Sequence, residues 1–164
     1  MPVSKRNGLL LGILWLLSFA TAVAGDEMDA LVGDWTSPDG TLKHSVARTF
    51  DGELLETRMW FRFESGWKLV SRGNGYRRPA DKAWRFVSRV TDMQGIELFE
   101  STIEQTSDST YRVVNISYMG DGSTQTTEED WTFVDADRYT YTIFKLEDGQ
   151  RSKWYEGEWV RADK

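Results

Sequence analysis

The 164-residue sequence contains no cysteine and only one histidine. The first absence excludes disulfides, thiolate zinc sites, cysteine nucleophiles and a lipid anchor on an N-terminal cysteine. The second excludes any metal site or proton relay that needs two imidazoles. Positive charge is in deficit. Twenty Lys and Arg stand against 26 Asp and Glu, a formal charge of −6, which argues against nucleic acid as a partner. Proline is scarce, with three residues. Aromatic residues, by contrast, are plentiful at 13% of the chain, with eight Trp. A chain of this size and aromatic content can bury a proper core, so disorder is not expected.

The first 24 residues read as a targeting segment. Lys5 and Arg6 form a basic start, Leu9 to Ala20 an apolar run, and Thr21-Ala22-Val23-Ala24-Gly25 a small-residue exit with A-x-A spacing. This is the pattern of a secretory signal peptide cut after Ala24. The apolar run is shorter than the roughly 20 residues of a membrane span, so no stable span is expected after cleavage. The expected location is secreted or periplasmic. Removing residues 1–24 takes away two basic and no acidic residues, leaving 18 basic, 26 acidic and a formal charge of −8. Residues 25–164 then read as one domain.

Beyond Gly25 the hydrophobic pattern has period two. Leu55, Thr57, Met59, Phe61 and Phe63 alternate with Glu56, Arg58, Trp60, Arg62 and Glu64. Trp84, Phe86, Ser88 and Val90 alternate in the same way with Arg85, Val87 and Arg89. Such alternation marks strands with one face on a core and one in water. Turn signals such as Pro38-Asp39-Gly40, Gly73-Asn74-Gly75, Gly120-Asp121-Gly122 and Asp148-Gly149 separate the runs. About ten strands are expected, near 31–36, 41–50, 53–64, 67–72, 83–91, 95–104, 110–119, 123–134, 138–146 and 150–161. Short turns between successive strands make an antiparallel up-and-down meander. Closure removes its two edges, so the expected fold is an all-β barrel of eight to ten strands with room for a ligand or packed side chains. A short helical turn over 26–32, rich in acids, is placed to plug one end.

Leu31-Val32-Gly33-Asp34-Trp35 resembles the G-x-W signature that opens lipocalins and related calycins. The resemblance implies that Gly33 and Trp35 close a barrel base, with Arg161 of the last strand against the Trp ring. Gly73-Asn74-Gly75-Tyr76-Arg77-Arg78-Pro79-Ala80-Asp81-Lys82-Ala83-Trp84 is similar to a segment of secreted bacterial lipocalin-like domains, with Arg77 where they carry Asp. Haem-binding barrels of similar length open on a comparable segment and use a late His as iron ligand. No His follows His44 here, and no cofactor or metal is expected.

Among residues that could carry chemistry, His44 lies alone on a strand and reads as a half-exposed strand residue rather than a general base. Alternation puts Glu129 on the face of Trp131 and Phe133, and Glu156 and Glu158 on the face of Trp154 and Val160. If those faces point inward, each is a buried carboxylate that could serve as an acid or anchor a cation. Pairing of the acids with Arg58, Arg85 or Arg112 is the plainer expectation. Ser65-Gly66-Trp67-Lys68 matches S-x-x-K but straddles a hairpin tip, where the helical geometry of serine acyl enzymes is absent. The acids at 135–137 lack the glycine and terminal Glu of a calcium loop. Asn115-Ile116-Ser117 is a glycosylation sequon. The aromatic-rich set Met59, Phe61, Trp84, Phe86, Tyr118, Trp131, Tyr141 and Trp154 is expected to line a cavity for a small apolar or amphipathic ligand. Non-catalytic binding leads. An enzyme built on an internal carboxylate and an acidic envelope-interaction module are the alternatives.

Overall fold

A computed structural model describes residues 28–80, 83–91 and 95–162. The signal-peptide reading of residues 1–24 lies outside these residues. Ten strands form: β1 (Gly33–Thr36), β2 (Leu42–Thr49), β3 (Leu54–Phe63), β4 (Gly66–Arg77), β5 (Trp84–Val90), β6 (Ile96–Ser107), β7 (Thr110–Met119), β8 (Thr124–Asp135), β9 (Arg138–Glu147) and β10 (Gln150–Arg161). Each pairs antiparallel with its sequence neighbours, and β1 pairs with β10, so the sheet is a closed up-and-down barrel. Closure gives every strand two partners and leaves no edge.

The alternation expected for β5 is present: Trp84, Phe86, Ser88 and Val90 are buried and the residues between them are not. The turn from β9 to β10 consists of Asp148 and Gly149 alone, both at positive φ (51° and 76°). That is the tight hairpin geometry for which Asp-Gly is suited.

Gly73-Asn74-Gly75 is not a turn. It lies inside β4, which continues to Arg77. The glycines serve close packing instead. A Cβ at Gly75 would stand 2.3 Å from the Phe86 ring, and one at Gly73 would meet the Val87 carbonyl oxygen at 2.3 Å. The helical segment near the N-terminus is a single 3-10 turn, Asp29–Leu31. Asp26 and Glu27 lie outside the described residues. A second 3-10 turn, Phe50–Gly52, joins β2 to β3.

The two ends of the barrel differ. At one end Met28, Leu31, Trp35 and Tyr139 are buried together. Trp35 meets Tyr139 and Phe133 edge-on at 4.9 and 6.2 Å between ring centroids. Arg48 and Asp29 form an ion pair that ties the 3-10 turn to β2. Arg161 lies over the Trp35 ring, 4.3 Å from its centroid. Its guanidinium also donates to the carbonyls of Val32 and Ala136, each at 2.9 Å. A Cβ at Gly33 would fall 2.1 Å from the Arg161 Nη1, so this glycine leaves room for the guanidinium. Gly33, Trp35 and Arg161 therefore form one packed unit that seals the base. The opposite end, where the turns 37–41, 64–65, 120–123 and 148–149 lie, is the open one.

Candidate functional site

Above the sealed base the barrel holds a cavity of about 610 Å³. That is a normal size for a small-molecule site. Its wall is mostly apolar, and polar side chains gather on β4 to β8: Ser71, Ser88, Ser101, Asn115, Ser117, Thr127 and Glu129. Near the mouth Phe61 and Trp154 line the cavity and are 37% and 53% exposed.

The polar side of the cavity is built by register. Ser101 of β6 stands directly opposite Asn115 of β7, which stands opposite Thr127 of β8. Glu129 and Trp131 follow Thr127 at steps of two and so face the same way. The Ser101 hydroxyl donates to Asn115 Oδ1 at 2.7 Å. Asn115 Nδ2 donates to Glu129 Oε1 at 2.6 Å, and Trp131 Nε1 donates to Glu129 Oε2 at 2.7 Å. Burial pushes the Glu129 carboxyl above its ordinary value, and the hydrogen bonds from Trp131 and Asn115 oppose that rise. Desolvating a carboxylate costs several kcal/mol. The two hydrogen bonds offset part of that cost, and burial remains the larger influence. Burial and the Glu129 charge raise Tyr139, and burial with Tyr155 raises Tyr141.

His44 also lines the cavity, its ring 5.7 Å from that of Trp159. It is half-buried by surface area, and the surrounding barrel wall desolvates the ring and lowers its pKa to about 4. At neutral pH it is an uncharged imidazole, partly exposed as its sequence neighbourhood implies, with its ring turned to the cavity.

Of the eight residues expected to line the cavity, Met59, Phe61, Phe86, Trp131, Tyr141 and Trp154 do so. Trp84 does not. It is buried in the core cluster beside Phe86, 6.1 Å between ring centroids. Tyr118 does not either. Asn115, Ser117 and Met119 take the inner face of β7, and the Tyr118 hydroxyl donates to Glu100 at 3.3 Å. Glu156 and Glu158 are outside the cavity too. A register shift between Lys153 and Tyr155 breaks the alternation of β10. Trp154 therefore reaches the cavity while Glu156 pairs with Lys153 and Glu158 with Arg138. Glu128 and Asp130 lie on the outer face of β8 and share Arg151, at 3.0 and 2.9 Å. Asn115 is 1% exposed, so the sequon side chain is inside the folded barrel. Asp135 caps its own turn by accepting from the Asp137 amide.

The sequence reasoning missed Ser101, Asn115, Tyr139 and Trp159 as cavity residues. The step-of-two series Thr127, Glu129, Trp131 was the available signal, and reading Asn115 as a sequon obscured its partner. Among the described residues no group of three His, Asp or Glu side chains is arranged to hold a metal ion. No helix among them is long and apolar enough to cross a membrane. In comparison with known proteins, no family model and no curated protein matches the chain.

Proposed function

We propose that the protein is a secreted or periplasmic lipocalin-like barrel that binds a small apolar or amphipathic ligand without catalysing a reaction. The observation that carries this reading is the cavity: about 610 Å³, sealed at one end, open at the other and lined mainly by apolar and aromatic side chains. The Gly33, Trp35 and Arg161 unit at the base supports the lipocalin resemblance. A barrel filled by its own side chains would have favoured an interaction module instead.

An acid/base enzyme is the second reading, and it narrows to one residue. Glu129 faces the cavity, whereas Glu156 and Glu158 are ion-paired outside it. Glu129 is the only carboxylate among the described lining residues, so hydrolysis by paired carboxylates has one partner rather than two.

The experiment is a binding screen with lipids, a sterol and haem, read by native mass spectrometry and by acrylamide quenching of Trp fluorescence. Trp131, Trp154 and Trp159 line the cavity. A bound ligand is expected to protect part of the emission from the quencher. Empty protein in every spectrum, with quenching unchanged, would count against the reading.

A further inference from the structure

We propose that the cavity selects amphipathic organic cations, with an ammonium head bound to the Glu129 carboxylate and an apolar tail directed toward the mouth. This deepens the ligand-binding reading and rests on it.

The argument begins with what Glu129 lacks. Both its oxygens accept a hydrogen bond, from Asn115 and from Trp131. A carboxylate has about four acceptor sites, so two remain for a ligand. No cation of the protein meets it among the described residues. Arg58 is the one Lys or Arg in the described cavity wall, and its guanidinium is held by Glu56 at 2.8 Å. The uncharged His44 supplies no counter-charge at neutral pH. The plainer expectation, that a basic residue pairs with each of these acids, therefore fails at Glu129, while Glu158 pairs with Arg138 and Glu156 with Lys153.

A buried carboxylate with free acceptor sites discriminates by charge. An ammonium brings a full positive charge and up to three donors. An alcohol brings one neutral donor. A carboxylate ligand brings like charge and is disfavoured. The surroundings favour the cation further. Trp131 and Tyr139 are 6.0 Å apart, and Tyr141 and Trp159 are 6.2 Å apart, all four in the cavity wall. Aromatic faces attract cations, more strongly where water is excluded. At the mouth, the four turns that lie wholly within the described residues each carry an acid, Asp39, Glu64, Asp121 and Asp148, and none of them carries Lys or Arg. Of the lysines on adjoining strands, Lys43, Lys68 and Lys145 are stacked over Trp67, Phe63 and Trp154, and Lys153 pairs with Glu156. The tail then meets Met59 and Phe61 on its way to solvent.

The test compares three probes of equal length, octylamine, octanol and octanoate, by isothermal titration calorimetry at neutral pH on the wild-type protein and on Glu129→Gln. Octylamine is expected to bind wild type at least about tenfold tighter than octanol, with octanoate weakest. In Glu129→Gln the amine is expected to lose that advantage while octanol binding persists. An amine no tighter than the alcohol in wild type overturns the inference and leaves the broader reading standing. So does an amine preference that survives in a folded Glu129→Gln. Absence of binding by all three overturns both. Should the variant fail to fold, the wild-type ranking alone decides.

Discussion

Asn115 donates a hydrogen bond to Glu129 across 2.6 Å, from the next strand and two residues off the direct register partner. This bond fixes which way the Asn115 amide points. Its nitrogen must face the carboxylate, so its oxygen faces Ser101 and accepts there. The cavity's polar side is thereby organised as a chain of donors that ends on one acid. Under the proposed ligand-binding reading, function and stability conflict at that acid, because leaving it ready for a ligand means leaving it without a charge partner.

Glu129→Gln is expected to stabilise the empty protein at neutral pH. The folded-state pKa of Glu129 is raised by burial above the ordinary 4.5. Between those two values the folded state binds the proton more tightly. Stability is therefore full below the ordinary carboxyl value and is lost as pH rises through the folded one. The new amide can keep the network: it accepts from Trp131 and donates to Asn115, whose amide turns over and donates to Ser101. Thermal melts from pH 4 to pH 8 are expected to show a higher midpoint for the variant at pH 8 and convergence with wild type near pH 4. A lower midpoint for the variant at pH 8 would contradict the burial argument.

His44 contributes a slope of opposite sign. Its folded value of about 4 lies below the ordinary 6.5. The unfolded state therefore takes up the proton first, and stability falls as pH drops from about 6.5 to about 4. The loss is on the order of 3 kcal/mol over that window. His44→Leu removes the titrating group and is expected to flatten the profile in chemical denaturation. An unchanged acid limb would show that His44 is hydrated or paired when folded.

Arg161→Lys tests the seal at the base. The guanidinium stacks on Trp35 and donates to the carbonyls of Val32, Ala136 and Ala30. A lysine carries one compact ammonium and cannot serve these partners together. The expected cost is roughly 1–3 kcal/mol in urea denaturation. The β1–β10 seam has only two register pairs, Trp35 with Arg161 and Thr36 with Val160. Amide exchange in β1 is therefore expected to accelerate before that in β6 or β7. Uniform acceleration through the barrel would argue against a clamp at this seam.

Gly75→Ala is expected to destabilise by about 1–3 kcal/mol through overpacking. The added methyl would meet the ring of Phe86, its direct partner on β5, at 2.3 Å. Phe86→Leu makes room, so the double variant is expected to recover part of the loss. A double-mutant cycle measures that coupling. Additive losses would mean that the glycine is present for another reason.

Strand number, order and most boundaries were legible in the sequence because they rest on local chemistry. Period-two alternation and Asp-Gly turns act over a few residues, and ten runs with short links leave closure as the way to remove both edges. The inward aim of Glu129 was legible for the same reason, since Trp131 and Phe133 mark its face. Tyr118 shows where local reading ends. On β7 the set Val114, Ile116, Tyr118 is more apolar than Asn115 and Ser117, yet the polar set faces inward. Only the neighbouring strands explain this, because Asn115 and Ser117 turn toward a polar patch that Ser101 and Glu129 complete. Glu156 and Glu158 were misplaced by a single register shift in β10, which alternation cannot reveal. Gly73 and Gly75 were taken for a turn because glycine marks turns locally, and the neighbours they make room for, Val87 and Ser88 at Gly73 and the Phe86 ring at Gly75, lie on the next strand. The scarcity of cysteine and histidine narrowed the chemistry from the start. The fold then decided that one carboxylate, Glu129, lines the cavity without a basic partner among the described residues, because side chains from three strands meet there only once β6, β7 and β8 pair in register.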